Sequence, residues 1–158
     1  MAETGVLPAR GHDHADCVRQ ALDTADKVCA RRGARLTALR RRVLELIWTS
    51  HRAIKAYEIL DQLSGETRAA RPPTVYRALE FLMAHGLVHR VDSLNAFVGC
   101  PQASRDHDAQ FFICDACGTV SEIDDGAIGR AVSASATRLG FDVERRMIEL
   151  HGRCEVCR

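Results

Sequence analysis

From residue 16 to 32, Val18, Leu22, Ala25 and Cys29 recur three or four apart among charged neighbours, which predicts an amphipathic helix halted at Gly33. Thr37 then stands as an N-cap before Leu39, Val43, Leu46 and Ile47, predicting a second helix down to Trp48 with Arg40, Arg41 and Arg42 around its first turn. "AYEILDQLSG" predicts a short helix closed by Gly65. "RAARPP" reads as a turn whose prolines open a further helix, with Val75, Leu79 and Leu82 inward and Tyr76, Arg77 and Glu80 outward, ending at Gly86.

Beyond Gly86 the period shortens. Residues 87–91 and 96–99 form two short apolar runs around "DSLN", the pattern of a β-hairpin. Helices followed by a hairpin, the last helix carrying an outward Tyr-Arg pair, predict a winged helix-turn-helix. Residues 100–110 read as a linker. After it come strand-like "FFIC" and "TVSEI", a helix from about residue 126 to 139, and a final strand "DVERRMIEL".

The expected fold is α+β: an N-terminal helix and winged helix-turn-helix domain over residues 1–92, the wing end and linker over 93–109, and a small α/β domain over 110–158. The last of these is too small to bury a sufficient core alone, so dimerisation, metal binding or both are expected of it.

At 46% hydrophobic and 27% charged, the 158 residues are those of a globular protein. The N-terminal "MAETGVLPARGHDHADC" has no secretory pattern, and no run of eighteen apolar residues offers a membrane span, so a cytoplasmic protein is expected. Seven cysteines in a reducing compartment are then metal ligands or inert thiols sooner than disulfides. The net charge of +1 hides an asymmetry: 15 Lys and Arg against 10 Asp and Glu up to residue 91, then 7 against 11. The first part suits a polyanion.

Two CxxC pairs, Cys114 with Cys117 and Cys154 with Cys157, are separated by 36 residues. Four thiolates close a tetrahedral zinc shell, and such a site contributes about 10–16 kcal/mol in small zinc peptides. Disulfides, a redox pair or unrelated thiols are the alternatives. His89, Cys100, His107 and Glu122 make a second complete four-ligand set, and its sulfur argues against magnesium, calcium and manganese. Asp106 or Asp108 could replace one member.

"LTALRRRVLELI", "AIKAYEIL", "PPTVYRALEFL", "GLVHRVDSLNAFVGC", "HDAQFFICDACGTVSE" and "IELHGRCEVC" together resemble the ferric uptake regulator family of bacterial metal-responsive repressors, most closely its zinc uptake regulator branch. The resemblance runs from about residue 36 to 157. It implies a winged helix hinged to a dimerisation domain, structural zinc at Cys114, Cys117, Cys154 and Cys157, and sensing zinc at His89, Cys100, His107 and Glu122. "LTALR" replaces the family's usual "LTPQR", and "RDHDAQ" stands where iron- and peroxide-sensing branches carry "HHDH".

The expectation is therefore a zinc-responsive repressor, with zinc as co-repressor, acting on zinc uptake and homeostasis genes as a homodimer on pseudo-palindromic operator DNA. Regulation by iron or another metal is the alternative, and a zinc hydrolase or deaminase a further one. The latter lacks an open metal position and the H-x-E/P-C-x-x-C or H-E-x-x-H motifs. Arg77 is the candidate guanine contact and Tyr76 its neighbour on DNA. Arg40, Arg41, Arg42 and Lys55 are candidate phosphate contacts or simply solvated charge. "HDHADC" at residues 12–17 reads as a solvated tail, and Cys17, Cys29 and His151 are unassigned.

Overall fold

The computed structural model describes residues 14–67, 70–104 and 107–158. His12, Asp106 and part of the "RAARPP" turn lie outside them. Helices α1 (His14–Arg31), α2 (Ala38–Trp48), α3 (Ala56–Ser64) and α4 (Pro72–Ala84) lead into the antiparallel hairpin β1 (Val88–Val91) and β2 (Ala96–Gly99). His14, read as tail, belongs to the first turn of α1, which begins two residues before the expected residue 16.

Each boundary has a local cause. The Thr37 hydroxyl accepts the Arg40 N–H at 3.4 Å, capping α2. Pro72 and Pro73 occupy the first two positions of α4, and the Arg71 N–H donates to the Thr74 hydroxyl at 3.0 Å. Gly86, at φ +67°, lets the chain leave α4 in the left-handed region and enter β1 directly.

Apolar faces of these helices form one core. Val43, Leu44 and Ile47 of α2 meet Ile59 and Leu63 of α3, Val75, Leu79 and Leu82 of α4, and Ala25, Val28 and Cys29 of α1. Leu87, Val88, Phe97 and Cys100 extend it into the hairpin, so the wing is anchored to the helices.

Strands β3 (Gln110–Cys114), β4 (Val120–Ile123) and β5 (Ile148–Gly152), with α5 (Gly126–Leu139), make the second unit. The sheet order is β4-β3-β5, antiparallel between β3 and β4 and parallel between β3 and β5. The final strand starts at Ile148, later than the residue 142 expected from sequence. Its partner β3 has five residues, and all five are already paired from Ile148 to Gly152, so earlier residues overrun the ladder.

A second apolar cluster joins the two units. Val91 and Val98 of the hairpin pack with Phe111, Ile113 and Val120 of the sheet, flanked by Ala53, Leu94 and Ala109. The Val120 N–H also donates to the His51 carbonyl at 2.9 Å. By contrast α5 buries only Gly129, while Leu139 and Phe141 are 82% and 67% exposed. Among the described residues, no helix is long and apolar enough to cross a membrane.

Trp48 approaches the backbone of Gly99 so closely that a Cβ there would fall 2.2 Å from the indole. Gly99→Ala must displace the ring or the strand, and we expect a loss of about 1–3 kcal/mol of stability, read as a lowered thermal unfolding midpoint. An unchanged midpoint would contradict this close approach.

Candidate metal centre

The parallel pairing of β3 and β5 aligns Cys114 with Gly152, which brings the turns after both strands side by side. Each turn closes tightly: the Gly118 N–H donates to the Cys114 carbonyl at 2.8 Å and the Cys157 N–H to the Cys154 carbonyl at 2.9 Å. All seven cysteines are free thiols. Cys114, Cys117, Cys154 and Cys157 offer four sulfurs within 4.8 Å of one another.

The Cys117 and Cys154 sulfurs are 3.8 Å apart, too far for a disulfide and equal to the edge of a tetrahedron with bonds of about 2.3 Å. Backbone N–H groups of Cys154 and Cys117 point at the Cys114 sulfur and lower its pKa to about 6. The Thr119 hydroxyl, 3.2 Å from the Cys117 sulfur, lowers that thiol as well. Cys157 is pushed up to about 12, chiefly by the Cys154 sulfur. A cluster that favours thiolate at one corner and resists it at another accommodates four thiolates only around a cation, so these residues fit zinc.

The mixed set assembles where hairpin and sheet meet. His89 lies on β1, Cys100 follows β2, His107 precedes β3, and Glu122 sits on β4 opposite Phe111. One ligand atom from each comes within 4.8 Å of the others. The Glu122 Oε1 is 2.5 Å from His107 Nε2, 3.5 Å from His89 Nε2 and 3.8 Å from the Cys100 sulfur, which is 3.5 Å from His107 Nε2. Three of these four separations match the edge of about 3.3–3.8 Å that zinc bonds imply.

Burial supplies the stronger test. The His107 and Glu122 side chains are 4% and 3% exposed. His89 Nε2 and Glu122 Oε2 are buried without hydrogen-bond partners. Burial, and then the Glu122 charge, push the Cys100 thiol far above its usual range. A buried carboxylate facing two imidazoles and a thiol lacks a fixed positive counter-charge, and a divalent cation supplies it. The sulfur and two imidazoles suit zinc over hard cations. Asp108, a possible substitute ligand, is instead paired with Arg146 outside the cluster.

The basic residues divide. Arg77 and Tyr76 are exposed on α4, Tyr76 by 54%. Arg40 stacks over Phe81 at 3.5 Å and donates to the Arg35 carbonyl at 2.7 Å. Arg41 holds Asp26 through bonds of 2.6 and 2.8 Å, and Arg42 holds Glu66 and Glu45. These three are committed within the fold, whereas Lys55 is exposed at the start of α3. Sequence reading passed over Tyr57, which is 59% exposed with the Lys55 ammonium 5.9 Å from its ring centre. Its polar neighbours in "KAYE" were the available signal.

Comparison with known proteins agrees with this architecture. The ferric uptake regulator family model matches residues 31–151. The zinc uptake regulation protein of Escherichia coli (strain K12) is 41% identical over 140 residues, 88% of this chain and 82% of its own. That of Mycobacterium tuberculosis (strain ATCC 25618 / H37Rv) is 30% identical over 80% of this chain and 96% of its own. Among solved structures, a zinc uptake regulator complexed with zinc and DNA has a TM-score of 0.82 at 40% identity, covering 88% of this chain and 93% of that one. Holo XcZur gives 0.78 and apo XcZur 0.53, both at 41% identity, covering 87% and 90% of this chain and 96% and 98% of theirs. The chain superposes better on holo XcZur than on apo XcZur. With the family pattern running from the end of α1 through β5, the chain belongs to the ferric uptake regulator family.

Proposed function

We propose that this chain is a zinc-responsive, DNA-binding transcriptional repressor that takes zinc as co-repressor and controls zinc uptake and homeostasis genes in the cytoplasm. One observation carries the reading: His89, Cys100, His107 and Glu122, drawn from both sides of the join between wing and sheet, offer ligand atoms within 4.8 Å of one another. The relatives described as zinc uptake regulation proteins support the choice of metal, as does a thiolate in the set. Iron is the alternative, and it accords less well with Cys100 as a ligand.

We assign structural zinc to Cys114, Cys117, Cys154 and Cys157, and regulatory zinc to the mixed set. His89, Cys100, His107 and Glu122 would hold zinc, which would supply a cation common to the wing and the sheet. His89 and Cys100 are the wing's share and Glu122 is the sheet's, so their convergence sets the angle between reader and sheet. With four protein ligands in each set, neither leaves the open position that catalytic zinc needs for water, consistent with a regulator and not an enzyme.

The reader domain is taken as residues 1–92, the wing end and hinge as 93–109 and the dimeriser as 110–158. Arg77 on α4 is assigned a bidentate guanine contact in the major groove, with Tyr76 beside it. Lys55 and Tyr57 at the start of α3 add phosphate and base-edge contacts, while a phosphate contact by Arg41 would require exchanging Asp26. The exposed Leu139 and Phe141 belong to a homodimer interface, which sets two recognition helices roughly 34 Å or a multiple of it apart for a pseudo-palindrome.

Two outcomes are expected. In fluorescence anisotropy with zinc-buffered operator DNA, Cys100→Ser or His89→Ala weakens binding by roughly 5–150-fold while one tightly held zinc per chain remains; equal affinity with and without the second zinc would refute the assignment. In sedimentation, replacing both Leu139 and Phe141 by Glu shifts the dimer to monomer and abolishes operator binding, and a persistent dimer would place the interface elsewhere.

A further inference from the structure

The hairpin turn of the wing is fastened to β5 by contacts that involve none of the proposed metal ligands. The Glu149 carboxylate accepts the backbone N–H of Asp92 at 2.7 Å and that of Ser93 at 3.0 Å. The Ser93 hydroxyl lies 2.9 Å from His151 Nε2, and His151 Nδ1 lies 2.8 Å from Asp115 Oδ1. Since the Asp115 carboxylate only accepts, Nδ1 carries the proton, and in the neutral ring Nε2 accepts from Ser93. Leu94, the next residue of the turn, packs into the apolar cluster shared with the sheet.

Ser, His and Asp in this order have the geometry of a hydrolytic triad, yet catalysis is unsuited to the place. The Ser93 N–H, which would have to stabilise an oxyanion, is already bonded to the negative Glu149. What the contacts do is mechanical. The turn is stiff, with Asn95 in the left-handed region at φ +47° and its N–H bonded to the Asp92 carbonyl at 3.1 Å. Backbone donors in a stiff turn lose no side-chain freedom on bonding, unlike exposed ion pairs such as Arg145 with Asp92. Although partial burial opposes it, bonding from Ser93 and Asp92 holds the Glu149 carboxyl below its ordinary pKa, as a carboxylate engaged in the folded state requires.

Position gives the fastening its consequence. His89 and Ser93 are four residues apart along the hairpin, at most about 13 Å. Ligands converging at His89 and Cys100 hold the base of the wing, beside the apolar seam; the turn contacts add an attachment at the wing's far end, where they oppose rocking about that base. The dimeriser's half is built on the four-cysteine cluster, because Asp115 follows Cys114 and His151 precedes Cys154 by three.

We propose that Glu149, Ser93, His151 and Asp115 are positioning residues that form a further fastening between reader and dimeriser, one that uses none of the metal ligands, and thereby set the zinc concentration at which the repressor closes. The proposal rests on the zinc-responsive reading above. Zinc binds the closed arrangement, so any contact that favours closure also tightens zinc by the same factor.

The test is operator binding by the full-length dimer across a series of buffered free zinc concentrations. Glu149→Ala should raise the half-saturating zinc concentration by about tenfold, and Ser93→Ala by about threefold, with operator affinity recovered at saturating zinc. Ser93→Thr, which keeps the hydroxyl, should restore a value near that of the natural protein. Recovery at high zinc separates a positioning role from failure to fold, and Ser93→Ala removes a single oxygen should the Glu149 variant be unstable. Midpoints unchanged in both variants would overturn the proposal. If operator binding by the unmodified chain ignores zinc altogether, the functional reading fails instead. Amide hydrogen exchange at Asp92 and Ser93 then decides on the fastening: faster exchange in Glu149→Ala supports it, and equal exchange overturns it.

Discussion

Glu122 is a carboxylate placed where water scarcely reaches, at the join of two units that come from opposite ends of the sequence. An isolated buried charge costs several kcal/mol, and its ion-pair partners among the described residues are two imidazoles, themselves uncharged unless protonated. The surroundings answer the charge with donors that suit a divalent cation: two ring nitrogens and a sulfur, with one nitrogen and one carboxylate oxygen left without hydrogen bonds. In the proposed reading, that unmet electrostatic demand makes the join responsive to metal. A hydrophobic seam alone would hold the units together whatever the metal supply.

The seam determines how the demand is met. Val91 and Val98 against Phe111, Ile113 and Val120 carry the burial that brings β1 over β4, and the Gly99–Trp48 approach fixes the chain just before Cys100. The mixed site is therefore preorganised by packing on both sides, and the apolar core that anchors the wing to the helices transmits its angle to α4. In the second unit, the four-cysteine cluster binds the ends of β3 and β5, compensating for a core to which α5 adds only Gly129. Its uncovered apolar surface is what a second copy would bury.

Much of this was legible in the residues. The residues placed all five helices to within a residue or two, because caps such as Thr37 and the prolines of α4 act locally. The two CxxC pairs announced their cluster, since thiols at that spacing have few other uses inside a cell. The mixed set was legible only as an inventory. Its assembly depends on the hairpin folding onto the sheet, a long-range event that no local spacing encodes, and the family resemblance supplied what periodicity could not. The start of β5 was misjudged because strand propensity does not record where a partner ends. Whether the arginines of α2 meet phosphate or only solvent was left open, because most of their partners, Asp26, Glu66 and the Arg35 carbonyl, lie outside that helix. The wing-turn contacts, from residues more than fifty apart, left no sequence signal beyond an unassigned histidine.

Diffraction from the zinc-loaded dimer on either side of the zinc absorption edge addresses the central claim most directly, because anomalous peaks locate each ion without assuming its ligands. The account predicts two peaks per chain, one among the four cysteines and one within bonding distance of His89, Cys100, His107 and Glu122 together. A second ion bound by residues of only one unit, or a single peak at the cysteines in protein that still holds operator DNA, would contradict it.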